Sequence, residues 1–251
     1  MTHEQGVIAE RIDPFDNTGI FRDSNGIKRF EVLPETLVAM LRSAVDRSPD
    51  AEAVVEIDGP RVSFTQLWDR AARVAGGLRD AGVARGDRVA IRYGNGVDWV
   101  FAFLGTQLAG AVAVPVNTRF AEPEVEYVVS DSGARLVLTD DDPLPDGRAY
   151  AEETLTRGDL AAIFYTSGTT GFPKGAMTTH ENFLSNIENV VRIRRLRGRE
   201  EPLRNLVSVP LFHVTGCNSQ LLPTLSEGGC TAIMPVFEVG RFLRAIVEED
   251  I

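Results

Sequence analysis

One stretch of this chain concentrates residue types that could do chemistry: Tyr165-Thr166-Ser167-Gly168-Thr169-Thr170-Gly171-Phe172-Pro173-Lys174-Gly175. Its glycines let the backbone approach an anion closely, and successive N–H groups can point inward at phosphate oxygens. Thr166, Ser167, Thr169 and Thr170 add hydroxyl donors, and Lys174 brings a compact positive charge. The spacing is not that of a Walker A loop, because Phe172 and Pro173 separate Gly171 from Lys174. A plain solvated turn is the other reading, and so dense a set of donors argues against it. The stretch is expected to hold phosphate.

A second group lies in Pro210-Leu211-Phe212-His213-Val214-Thr215-Gly216. His213 could be a core histidine hydrogen-bonded beneath a sheet, or an imidazole at a site. Thr215 could be a helix-entry hydroxyl or, being small, one wall of a roomy pocket, with Asn218 just beyond it. Cys217 and Cys230 have no metal-ligand spacing and read as reduced core thiols. Arg192, Arg194, Arg195, Arg197 and Arg199 crowd an otherwise acidic chain. They read first as a solvated helix end favoured by the helix dipole, and second as a contact for anionic lipid or acyl-CoA phosphates.

These residues must be positioned by elements that alternate in period. Leu37, Leu41, Ala44 and Val45 recur at helical spacing behind Pro34. Ser63-Phe64-Thr65-Gln66 has the form of a capping box opening a helix to about Asp80. Further helices are expected over 97–109 and 122–130, from about Thr179, over 214–225 and from Val239. Short apolar runs at 53–57, 88–93, 112–115, 135–138, 160–165, 206–209 and 230–234 read as strands, and 140–147 as a surface loop. Strands alternating with helices at this interval predict an α/β fold with mostly parallel sheets flanked by helices. The phosphate stretch is then expected between a strand and a helix. Residues 1–30 carry no sustained period and are expected to be an arm over the domain or a partly disordered segment.

Composition limits the function classes. With 251 residues, 43% of them hydrophobic, the chain can bury a large core. Its net charge of −10 excludes a general nucleic-acid binder, which needs a basic footprint. No signal peptide and no apolar run near the length of a bilayer span is visible, so a cytoplasmic protein is expected.

The whole Tyr165–Gly175 segment resembles the signature loop of the adenylate-forming superfamily, which includes acyl-CoA synthetases, aryl-CoA ligases, luciferases and nonribosomal-peptide adenylation domains. Residues 62–67, 86–91, 109–117 and 210–216 are similar to that family's N-terminal region as well. The resemblance implies that a carboxylate attacks Mg-ATP to give an acyl-adenylate, and that a thiol, usually of coenzyme A, then displaces AMP. It implies that Thr166, Ser167, Gly168, Thr169, Thr170, Gly171 and Lys174 hold the β- and γ-phosphates. His213 would sit by the acyl carboxylate and thiol entrance, with Thr215 and Asn218 lining the acyl pocket. The cofactors implied are ATP, Mg²⁺ and coenzyme A, and the first substrate expectation is a medium- or long-chain fatty acid. An aryl-acid ligase, a carrier-loading adenylation domain and a non-catalytic truncated homologue are the alternatives. The family's later motifs, a Tyr-Gly-x-Thr-Glu segment and a Tyr-Arg-Thr-Gly-Asp-like segment, do not occur in the sequence. Residues 31–251 are therefore expected to be an incomplete large domain, inactive alone and inclined to self-associate through uncovered surface.

Overall fold

The computed structural model describes residues 16–166, 172–199 and 201–251. It opens with a small antiparallel hairpin, Ile20–Arg22 (β1) against Lys28–Phe30 (β2), inside the stretch expected as an arm. An Asp23-centred turn closes it, the Asp23 carboxylate accepting the N–H groups of Asn25 and Ile27 and a hydrogen bond from Arg29. Helix Leu37–Arg47 (α1) follows, capped by the Thr36 hydroxyl, which accepts from Ala39 N–H. Next come Glu52–Glu56 (β3), Arg61–Ser63 (β4) and helix Phe64–Asp80 (α2). The capping box predicted at Ser63 is present: its hydroxyl accepts from Gln66 N–H while the Gln66 amide oxygen accepts from Ser63 N–H.

The chain then alternates strand and helix through Arg88–Arg92 (β5), Val97–Leu108 (α3), Val112–Pro115 (β6), Glu122–Ser132 (α4), Ala134–Thr139 (β7) and Leu160–Thr166 (β8). After β8 comes a strand the sequence did not announce, Lys174–Thr179 (β9), before helix His180–Ile193 (α5). Arg204–Val207 (β10) leads to a helical stretch of unusual form: α-helical Val214–Gly216 (α6), a π-helical turn Cys217–Leu221, and α-helical Leu222–Ser226 (α7). Cys230–Ile233 (β11) and helix Val239–Glu248 (α8) complete it.

The strands form two principal sheets. One runs β7-β5-β6-β8-β9, parallel except for β9; the other runs β10-β11-β3-β4, parallel except for β4. The α/β architecture with mostly parallel sheets is as the sequence predicts. Helix α3 lies at the centre, with Trp99, Val100, Phe103 and Leu108 wholly inaccessible. The Trp99 ring stacks on Phe103 at 5.1 Å, Phe103 meets Phe183 of α5 edge-on at 6.1 Å, and Phe164 of β8 lies 6.0 Å from Phe183.

The straight helix expected over 214–225 is broken by a local cause. Pro223 has no N–H, so it cannot continue the ladder of backbone bonds. The Leu222 N–H reaches back to Cys217 O, a wider π-type closure, and the Asn218 carbonyl instead accepts from Asn186 Nδ2 of α5 at 2.8 Å.

The arginine cluster divides. Arg192 donates to Glu188 and to the carbonyls of Asp16 and Thr18, and its guanidinium lies 4.7 Å over the Phe30 ring. Arg197 pairs with Glu188 and Glu227. Burial alone would raise the Glu188 carboxyl; hydrogen bonds from Arg197 and Arg192 outweigh it and hold that group below the usual carboxylate range. Arg194, Arg195 and Arg199 are exposed. Both cysteines are free and buried, as expected.

One buried imidazole ties α5 to α1. His180, only 2% exposed, accepts the Leu37 N–H on Nδ1 at 3.3 Å, satisfying a donor in the first turn of α1. Burial pushes its pKa down to about 4, opposed by the Asp159 carboxylate. The unfolded chain therefore binds a proton near pH 6.5 that the folded chain refuses until about pH 4. His180 contributes fully to stability above pH 6.5, and the contribution is lost as pH falls toward 4, with a slope of about 1.4 kcal/mol per pH unit. The displaced Glu52, held down to about 2 by Arg61, contributes its loss only below its ordinary value near 4.5. Urea unfolding between pH 7 and 5 should show the slope in the wild type and a flattened profile in His180→Asn; parallel profiles would remove the assignment.

Candidate functional site

The predicted phosphate stretch turns out to close a hairpin. Strands β8 and β9 pair antiparallel from Leu160 opposite Thr179 to Thr166 opposite Lys174. Thr166 and Lys174 are thus the last pair before the loop, both exposed, so a hydroxyl and an ammonium stand at its two feet. Ser167, Gly168, Thr169, Thr170 and Gly171 lie outside the described residues. The expectation of a strand-to-helix loop is corrected here. Helix α5 begins only at His180, after the six residues of β9, a rise of about 20 Å at strand geometry. Its dipole cannot act on a phosphate at the loop, because that effect fades beyond the first turn.

Helix α4 props this hairpin. The Phe172 ring stacks on Tyr127 at 4.5 Å, although 66% of Phe172 is exposed. The Tyr165 hydroxyl donates to Asp131 Oδ2 at 2.6 Å, and burial together with that carboxylate pushes the Tyr165 pKa up. Gly175 sits opposite Tyr165 in the ladder, and a Cβ there would come within 2.7 Å of Ile163 Cγ2 and 3.1 Å of the Tyr165 ring. The glycine is required by this close approach.

His213, Thr215 and Asn218 lie together on the other sheet's side, in the turn and helix after β10. His213 caps the N-terminus of α6: its Nδ1 accepts the Thr215 N–H at 3.2 Å and lies 3.1 Å from the Thr215 hydroxyl. With Nδ1 accepting, a neutral ring carries its proton on Nε2. The imidazole is exposed, which dismisses the core-histidine reading. Asn218 is on the π-helical turn, half-buried, and its Oδ1 has no hydrogen-bond partner among the described residues. The two groups of predicted residues share no hydrogen bond among the described residues.

Sequence reasoning missed the join between the sheets. A cavity of about 240 Å³ opens at the carboxyl ends of β5, β6, β10 and β11, the usual place for a ligand in an open α/β sheet. Phe212, Met234 and Phe237 give it apolar walls, and Asn95 and Arg119 line it too. Asn95 stands between Gly94 and Gly96 in the turn from β5 to α3, a Gly-Asn-Gly run that reads in sequence only as a turn. Among the described residues no cluster of three or more His, Cys, Asp or Glu side chains could hold a metal, and no helix is long and apolar enough to cross a membrane.

Residues 41–154 and 142–251 match the family described as AMP-binding enzyme. The chain is 35% identical over 224 residues to a feruloyl-CoA synthase of Amycolatopsis sp, covering 81% of this chain and 45% of that protein. It is 34% identical over 244 residues to the long-chain-fatty-acid–CoA ligase FadD13 of Mycobacterium tuberculosis, covering 84% of this chain and 48% of that one. Among solved structures it is similar to the inhibitor-bound N-terminal domain of FACL13 from Mycobacterium tuberculosis, with a TM-score of 0.74 and 31% identity over 86% of this chain and 61% of that chain. The chain spans about half the length of the curated relatives it matches.

The Gly175 contact yields a signed test. Gly175→Ala should lower unfolding free energy by about 1–3 kcal/mol through the Ile163 and Tyr165 contacts. In an Ile163→Ala background the same change should cost measurably less. Strict additivity in a double-mutant cycle by urea denaturation would remove the explanation.

Proposed function

This chain belongs to the AMP-binding enzyme family, and on that footing we propose that it supplies the phosphate-holding hairpin and part of the acid site of a ligase that joins a carboxylic acid to coenzyme A with cleavage of ATP to AMP and pyrophosphate. In the first step a carboxylate oxygen attacks the α-phosphorus of Mg-ATP, the α–β anhydride breaks, and pyrophosphate leaves. In the second, the thiol sulfur attacks the acyl carbon and AMP departs. The magnesium ion enters as part of the nucleotide substrate, held by its phosphates.

The observation that carries this reading is the pairing of Thr166 with Lys174 at the mouth of the β8–β9 hairpin. It supports a loop whose N–H groups, hydroxyls and one ammonium, from Thr166 through Gly171 to Lys174, converge on departing pyrophosphate and stabilise the charge that gathers there. His213, with Nδ1 occupied by Thr215, has Nε2–H to donate toward a carboxylate or acyl oxygen. Thr215 and Asn218 would flank the acid. The small Thr215 side chain and the apolar walls at Phe212, Met234 and Phe237 favour a medium- or long-chain fatty acid. The similarity to a feruloyl-CoA synthase supports an aryl acid as the second reading. Residues 31–251 would be one part of the large domain, with 1–30 as an arm upon it.

Two accessory contacts belong to this reading. Arg194, Arg195 and Arg199, exposed beside Ile193, would meet anionic lipid. The apolar face of α8, with Val247 80% exposed, would favour self-association.

Carboxylate-dependent ATP–pyrophosphate exchange by the full gene product tests the main reading, across acetate, octanoate, palmitate and benzoate. Exchange is expected with the longer alkyl acids, and Lys174→Ala should lower it about a hundredfold. Exchange with benzoate alone would select the aryl reading. No exchange with any acid from a folded protein would leave a non-catalytic module.

A further inference from the structure

Asn95 bonds to three different backbone groups across the join of the two sheets. Its Nδ2 donates to Val209 O at 2.9 Å and to Met234 O at 3.3 Å, and its Oδ1 accepts the Leu211 N–H at 2.8 Å. Val209 follows β10, Met234 follows β11, and Asn95 itself follows β5 in the other sheet. A second bond crosses the same join, Glu56 Oε2 of β3 accepting the Val97 N–H at the start of α3.

Val209 and Leu211 flank Pro210, so one side-chain amide grips the peptide on both sides of that proline. The opposite side is confined too. A Cβ on Gly216 would come within 2.4 Å of the Pro210 carbonyl oxygen, and that carbonyl also accepts the His213 N–H at 3.2 Å. The turn that carries His213 is therefore held between Asn95 and Gly216. Only an amide side chain of this length offers two donors and an acceptor at one point. A carboxylate would face two carbonyl oxygens with no proton to share, and a methyl would leave all three backbone groups without their partner.

We propose that Asn95 is a positioning residue: by holding Val209 and Leu211 after β10 and Met234 after β11 to the end of β5, it fixes the Pro210–His213 turn and so sets where His213 meets the acid. The proposal rests on the ligase reading for its consequence in turnover, but not for its geometry. The phosphate hairpin is built from β8, β9 and α4, and Asn95's side-chain hydrogen bonds go instead to Val209, Leu211 and Met234, so acid and nucleotide handling should separate.

Asn95→Asp, Asn95→Ala and Asn95→Gln test it at two levels. In the 251-residue chain, Leu211 amide exchange should quicken at least about tenfold in Asn95→Ala, and the His213 imidazole resonances should shift, while amides in β8 and β9 stay protected. Unchanged Leu211 exchange and unmoved His213 resonances would overturn the placement, whatever the activity. In the full gene product, Asn95→Asp and Asn95→Ala should raise the KM for the acid about tenfold or more with the KM for ATP within about twofold, and Asn95→Gln should recover part of the loss. Equal loss on both substrates, or wild-type kinetics, would overturn the positioning role. Failure of the wild-type product to exchange with any acid would count against the ligase reading alone and leave the geometry to the first measurement.

Discussion

A helix buried on nearly every side is stable only if other elements enclose it, and α3, where Asp98 alone is exposed, sets that requirement for the whole chain. Trp99 and Phe103 stack on one face and Leu108 lies about 180° round the axis from Trp99, and each is fully buried. Helix α2 covers one flank, strands β5 and β6 another, and the Phe183 ring of α5 a third. No single twisted sheet could enclose such a cylinder. The enclosure needs the four-stranded sheet as well, whose β3 also packs on α3. Because both sheets are mostly parallel and both lean on one helix, the carboxyl ends of β5, β6, β10 and β11 gather at one cavity. Burial of α3 and formation of this cavity are thus two results of one packing constraint.

The β8–β9 hairpin, proposed to hold phosphate, would use a different economy of charge. Many phosphate sites use a helix N-terminus, where free N–H groups and the macrodipole act together. Here β9 intervenes and moves α5 about 20 Å along the chain. On the proposed reading, close donors would replace that fixed dipole, and Thr166 and Lys174 stand paired at the loop's feet to serve as two of them. Phe172 stacked on Tyr127 and Tyr165 bonded to Asp131 give the hairpin two attachments to α4.

Much of this was legible in the sequence because burial writes itself as periodicity. Strands β3, β5, β6, β8 and β11 are continuous apolar runs, as strands covered on both faces must be. The capping box at Ser63 and the Pro210–Gly216 run also stood out. What stayed hidden has physical reasons. Strand β9, Lys-Gly-Ala-Met-Thr-Thr, is an exposed edge whose pattern owes nothing to a core, so it left no alternation to read. The β1–β2 hairpin is too short for any period. Pro223 stands inside the helix expected over 214–225, and Asn186, which takes up the freed carbonyl, lies 32 residues from Asn218. Asn95 was invisible because its partners, Val209, Leu211 and Met234, are brought to it only by the fold. The phosphate-binding roles of Ser167 to Gly171 rest on residue type and resemblance, since those five residues lie outside the described structure.

The π-helical turn at Cys217–Leu221 has a consequence for how this segment can be compared and altered. A π-turn is equivalent to one extra residue inserted in an α-helix, and one residue corresponds to about 100° of rotation about the axis. Side chains before the turn, Thr215 among them, therefore face a direction offset by that angle from the one a regular helix leading into α7 would give them. Two proteins aligned without a gap here can present different residues on the same face if only one has the wide turn. A single-residue deletion within 217–221 would act less like a loss of one side chain than like turning a dial, replacing the whole set of side chains that the preceding turn presents on each face.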